Sequence, residues 1–245
     1  MKRIFWILAV VGLLSLGWQL NIIANTHQEL MPAAQSLDIK DFVRQTFITG
    51  VPYEEASKYG SDVVPTLLEM LEDTAEETHW SNVVVTLCII GDETAVDPIL
   101  AFIAKDQGEL SHSHYKAITS AVIALGYLVN KTGNQKALDY LMACIDPNVW
   151  EERKLSWTSP SQASVAARNQ QLSTVAILGL TLAAKPEAAE ALRTLQQPAT
   201  TESAKQFQAQ VSNMVSDALN DLDMIAKDGL AEYYKKKGQG FTKKE

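Results

Sequence analysis

The chain has 245 residues, a formal net charge of −8, 47% hydrophobic and 20% charged residues. This composition supports a folded core and excludes the charge-rich, apolar-poor class that stays disordered. The acidic balance argues against a nucleic-acid partner, which needs a basic footprint, and two cysteines cannot frame a small disulfide scaffold.

Met1-Lys2-Arg3 is a short basic start, followed by fifteen uncharged residues from Ile4 to Trp18. A basic start ahead of an apolar run is the pattern of an export signal. If the run extends through Gln19 and Asn21 to Ala24, it reaches membrane length, about 20 residues. Residues 1–24 are therefore expected to be a cleaved signal peptide or a retained membrane anchor. The rest would lie outside the cytosol, periplasmic or anchored in the inner membrane and facing the periplasm. Ser15-Leu16-Gly17 offers a small-x-small cleavage site, and Trp18 stands where a lipid-bearing cysteine would be needed.

From residue 25 onward helical periodicity recurs and no strand pattern stands out. Residues 25–59 read as a lead segment. Asp38 is placed to cap a helix over Ile39–Phe47, Gly50-Val51-Pro52 breaks the chain, and a short piece over Tyr53–Tyr59 stops at Gly60 as its C′ residue. Two similar stretches follow, with Pro65 and Pro98 in register at a spacing of 33 residues. Ser61 and Asp92 are candidate caps. Pro65 falls in a first turn, and Pro98 falls deeper, where a kink is expected. Trp80–Ile90 forms the helix between them.

A third unit pairs Tyr115–Val129 with Ala137–Leu141 across a Gly133-Asn134 turn. A fourth pairs Ser173–Leu182 with a helix from Pro186 to near Leu195. Leu125-Gly126 and Leu178-Gly179 occupy the place that Ile90-Gly91 holds at a helix end. Helix pairs at such spacings indicate a solenoid, in which each pair buries its face on its neighbours.

Leu87 to Ala104, LCIIGDETAVDPILAFIA, resembles the HEAT-repeat family, in particular its bacterial phycobilisome-lyase-like branch. The likeness is carried by Leu87, Ile90, Gly91, Asp92, Ala95, Val96, Pro98, Ile99 and Leu100. It is fair at Val63–Leu71 and Ala121–Leu141, and weak at Ser173–Leu195. The resemblance implies an α-α superhelix used mostly as a protein-binding scaffold. The lyase branch attaches tetrapyrroles to antenna proteins, but no catalytic or chromophore residue carries over to this chain. The expected fold is thus all-α: HEAT-like repeats over 60–197, and a long capping helix with a basic tail over 198–245.

Residues 146–170 interrupt the repeats and contain Trp150 and Trp157 with Arg153 between them. Such an insert contributes to binding or packs onto the repeats. Residues 201–236 read as a single amphipathic helix with Phe207, Val211, Ala218, Leu222 and Ile225 on one side. This helix would close the last repeat or pair with another helix. Lys235, Lys236, Lys237, Lys243 and Lys244 give the tail its positive charge, which suits a solvated end or contact with anionic lipid.

The leading expectation is a non-catalytic scaffold for a protein or peptide partner, with no cofactor. The concave face made by the second helix of each pair would bind through His79, Trp80, Asn82, His114, Tyr115, Lys116, Arg168 and Asn169. Trp150, Arg153 and Trp157 of the insert would add to it, since aromatics and Arg dominate binding energy once a partner buries them. The alternative is a metal-dependent or accessory subunit of an envelope enzyme. His112 and His114 could share a zinc ion in an extended segment, with His79 nearby. Otherwise Ser111 or Ser113 caps a helix there. Cys88 and Cys144 sit among apolar neighbours, and bridging them requires Cα atoms within about 7 Å.

Overall fold

The computed structural model describes residues 37–48, 50–105, 108–160 and 164–241. The chain divides into Met1–Asp38 and Ile39–Glu245. The first unit contributes only Leu37 and Asp38 to the described residues, and the expected signal or anchor at 1–24 lies outside them. No helix among the described residues is long and apolar enough to cross a membrane.

Twelve α-helices follow in order among the described residues: α1 Ile39–Val43, α2 Tyr53–Ala56, α3 Val64–Glu72, α4 Trp80–Ile90, α5 Val96–Ala104 and α6 His112–Thr132 lead. Then come α7 Gln135–Cys144, α8 Pro147–Glu152, α9 Val165–Ala183, α10 Pro186–Thr194, α11 Glu202–Asp228 and α12 Leu230–Phe241. The described strands are Gly108–Glu109 (β1) and Trp157–Thr158 (β2), paired in parallel with Gly108 opposite Trp157. The protein is all-α in class.

Local chemistry sets most boundaries. Asp92, Ser111, Asn134 and Thr201 each accept a backbone N–H of the turn that follows, satisfying donors that a helix start leaves without a carbonyl. A 3₁₀ turn over Glu93–Ala95 precedes α5. Pro98 therefore sits in the first turn of that helix rather than deep inside it, and its missing N–H breaks no helical bond. Two expectations fail here. The first helix ends at Val43, not Phe47. Gly60 is extended, with φ −86° and ψ 174°, and precedes a 3₁₀ turn instead of closing a helix.

Packing runs stepwise. Helix α4 lies against α6, α6 against α9, and α9 against α11. On the flank, α3 packs on α4, α5 on α6, α7 on both α6 and α9, and α10 on α9 and α11. A single apolar cluster extends from Ile39 to Leu222. Leu87, Ile118, Leu125 and Leu172 within it are fully buried, each such side chain stabilising by about 1.5–3 kcal/mol relative to exposure.

Gly126 and Gly179, matched in the sequence to Gly91 after α4, lie inside α6 and α9. A Cβ on Gly126 would stand 2.1 Å from the carbonyl oxygen of Gly179, and one on Gly179 would stand 2.8 Å from that of Val122. Here α6 and α9 approach backbone to backbone, and only glycine permits it. The expected single terminal helix is also two helices. Gly229, with φ +82°, ends α11 and turns the chain into α12.

Candidate functional site

The residues expected to face a partner cluster at the N-terminal ends of α4, α6 and α9 and in the insert. Trp80, His114, Trp150, Trp157, Arg168 and Asn169 are buried there. Trp80 donates its indole N–H to Met70 O at 2.8 Å and stands edge-on to both Phe102 and His114. His114 also stacks on Phe102. Trp150 donates to Cys144 O at 2.8 Å and Trp157 to Ile103 O at 2.9 Å. Each ring is sheltered by apolar neighbours and its single polar atom meets a carbonyl, the usual condition for burying tryptophan.

Arg168 completes this region. Its guanidinium lies 5.0 Å from the Trp157 ring centre and donates to the carbonyls of Trp157 and Leu155 and to Asn169 Oδ1. Burial lowers its pKa. The insert is thus pinned to the helical body, with Arg168 fixing β2 from inside. The expectation that these six residues meet a partner is corrected by their burial, and the indole N–H groups of Trp80, Trp150 and Trp157 and the Arg168 guanidinium are used by the fold.

Five of the eleven expected residues reach solvent. His79 and Asn82 are half-buried, and the Asn82 amide donates to Val43 O and Gln45 O, both at 2.9 Å, fastening the segment after α1. Tyr115 is half-buried and donates to Gln171 Oε1 at 2.7 Å. Lys116 is exposed. Arg153 is exposed, with its guanidinium 4.1 Å from the centre of the Tyr140 ring.

The histidine pair does not converge. His112 opens α6 with Ser111 as the cap, and residues two apart on a helix point to different sides. His112 is exposed while His114 is interior. Among the described residues no group of three or more His, Cys, Asp or Glu could hold a metal ion. Cys88 and Cys144 are free and buried. Burial pushes the Cys144 thiol up to about 12 and the Cys88 thiol higher, so neither supplies a thiolate near neutral pH.

The opposite ends of the same helices are built differently. The C-terminal halves of α6 and α9, with α11 and α12, enclose a groove of about 540 Å³. Leu178, Thr181 and Leu182 of α9 form one wall, and Met214, Asp217 and Asp221 of α11 another. Tyr127 of α6 with Tyr233 and Tyr234 of α12 make its aromatic end. Leu178 is 37% exposed, one of few large apolar side chains to face solvent.

Aromatic contacts run on from the groove to α2. Tyr234 stacks on Tyr53 at 5.4 Å, Tyr53 lies 5.7 Å from Tyr127, and the Tyr127 and Tyr234 hydroxyls are hydrogen-bonded. Tyr233 donates to Asp221 Oδ2 at 2.8 Å. Lys237 pairs with Asp221 Oδ1 at 3.0 Å, its ammonium 5.5 Å from the Tyr233 ring centre. Burial raises the pKa of Tyr53, Tyr127, Tyr233 and Tyr234 alike. All four are neutral phenols at physiological pH, and Tyr127, Tyr233 and Tyr234 are hydrogen-bonded through their hydroxyls.

Sequence reasoning missed this site because it placed Tyr233 and Tyr234 at the far end of a straight helix. The signal that could have found it is Asp228-Gly229, a glycine after a helix-terminal polar residue, followed within one turn by Tyr233-Tyr234 and directly after them by Lys235-Lys236-Lys237. No family model matches the chain, and no curated protein or solved structure gives a match.

Proposed function

We propose that the protein is a non-catalytic scaffold, a short HEAT-like α-α superhelix that holds a protein or peptide partner on the extracytoplasmic side of a membrane. The packing order supports the superhelix reading: inner helices α4, α6 and α9 follow one another, flanked by α3, α5, α7 and α10, and α11 packs on the last of them. The basic-apolar pattern of residues 1–24 supports the address. The observation that carries the binding reading is the groove of about 540 Å³ with Leu178 open to solvent. Concave, mostly apolar surfaces with a few placed polar groups are where partners dock.

Photo-crosslinking in the full chain tests it. A benzophenone side chain replacing Leu178 is expected to trap a discrete partner in cells. The same group replacing Val165, an exposed apolar residue at the other end of α9, is expected to trap none. Equal or absent cross-linking from the two positions removes the groove as the binding face.

A further inference from the structure

Helix α12 is held differently from the rest of the body. Leu230 and Tyr233 are buried with Leu182 and Ile225 in a small cluster separate from the main core. Among the described residues its ion pairs to the body go to α11: Lys237 to Asp221, and Lys236 to Asp228 at 2.7 Å. One residue, Gly229, joins the two helices, and nothing lies within 4 Å of the position a Cβ would take there. Leu230, Tyr233, Tyr234 and Lys237 follow the i, i+3, i+4, i+7 spacing by which an amphipathic helix seats in a groove. An element with so few buried contacts opens locally at low cost, independently of global unfolding.

The seat is larger than its occupant. With α12 in place, Leu178, Met214 and Asp217 still line open space. Asp217 is exposed and makes no ion pair among the described residues. Carboxylates of α11 thus rim an apolar and aromatic floor, and the helix that lies on it presents lysine to that rim.

We propose that this groove binds a lysine-bearing amphipathic helix of a partner protein, and that α12 is the built-in competitor for it. The proposal rests on the scaffold reading and names the partner's chemistry: apolar and aromatic residues one turn apart, with lysines along one edge facing Asp217 and Asp221. α12 satisfies Asp221 alone, so a longer basic helix gains Asp217 and the Leu178 wall. Docked α12 scales the apparent affinity down to the intrinsic affinity multiplied by the fraction of molecules in which α12 is released.

The test uses the full chain and a fluorescein-labelled peptide of residues 229–241 as the basic helix. Tyr234→Ala, which removes the Tyr53 stack and the Tyr127 hydrogen bond, is expected to bind the peptide about tenfold more tightly than the unaltered chain. Lys237→Glu, which faces Asp221 with a like charge and leaves the apolar cluster intact, is expected to do the same should Tyr234→Ala fold poorly. A peptide with Lys235, Lys236 and Lys237 all changed to Glu is expected not to bind. Asp217→Lys with Asp221→Lys in the Tyr234→Ala chain is expected to abolish binding. Equal binding by released and unaltered chains overturns the proposal, as does indifference to peptide charge. A dimer that forms by exchange of α12 between two copies assigns the groove to a second copy and overturns it too. Cross-linking from Leu178 that survives while these peptide results fail leaves the scaffold standing without the basic-helix partner.

Discussion

The insert and α12 both return to the same helices, at opposite ends, and are fixed by different chemistry. The insert buries two tryptophans completely, ties each indole N–H to a carbonyl, and threads Arg168 beneath β2. Helix α12 buries one side in a satellite cluster and holds the body through two hydroxyl contacts and exposed ion pairs. Exposed pairs of this kind contribute little, because water screens the charges and two long side chains must be held in one geometry. The difference teaches where a fold of this class keeps its rigidity and where it keeps an element that can leave. The aromatic content of the two regions is similar, and burial, not composition, separates them.

Removing the tryptophan anchor is expected to have the largest effect. Trp157→Ala deletes a fully buried ring, its bond to Ile103 O and the platform for Arg168, at a cost of about 3–5 kcal/mol. Chemical denaturation monitored by circular dichroism should show one cooperative transition moved by that amount. A loss confined to β1 and β2, with the helices unchanged, would place the insert outside the cooperative unit. Gly126→Ala comes next. The new methyl meets the Gly179 carbonyl at 2.1 Å, so α6 and α9 must separate, with a loss of about 1–3 kcal/mol or more from overpacking. Both helices carry both regions, so this change is expected to loosen the insert and α12 together. An unaltered midpoint would refute the backbone contact.

At the α12 end the global midpoint is expected to move little. Tyr234→Ala should leave the main transition within about 1 kcal/mol of the unaltered chain, because its partners lie mostly in a satellite cluster. Hydrogen exchange of the α12 amides should accelerate while those of α6 and α9 do not. Acceleration across α6 as well would mean that α12 belongs to the core and is not a separable element.

The helices and caps were legible in the sequence because both depend on neighbours a few residues apart. Asp92 and Ser111 cap as expected, Asn134 of the expected turn also caps α7, and α4 spans Trp80–Ile90 as its periodicity requires. The break at Gly229 was not legible from periodicity. Ile225, Gly229 and Tyr233 keep a step of four across it, and a stripe carries no record of a change in direction. Only the positive φ of Gly229 makes the turn. The tryptophans failed for another reason. An aromatic beside charged residues suits a partner surface or an interior equally well, and the deciding acceptor for Trp157 is Ile103 O, 54 residues away.

The smallest expected effect is a pH response that singles out the α12 end. Tyr127, Tyr233 and Tyr234 all have hydroxyl pKa values raised above the ordinary 10.0, burial being the first cause in each. Below pH 10.0 both docked and released forms are neutral, so docking keeps its full strength. Above it the released phenols lose protons first, and each ionisation favours release. Docking therefore weakens as pH rises from 10.0 towards the raised values of the docked state, while the bond from the Trp157 indole N–H to Ile103 O contains no group that titrates in that range. With tyrosines carrying ¹³C at Cζ, nuclear magnetic resonance should follow Tyr234 as neutral past pH 10.0 and then ionising as the α12 contacts are lost. Titration of Tyr234 at its ordinary value with α12 still seated would mean that the hydroxyl is solvated, and that the aromatic end of the groove is open rather than sealed.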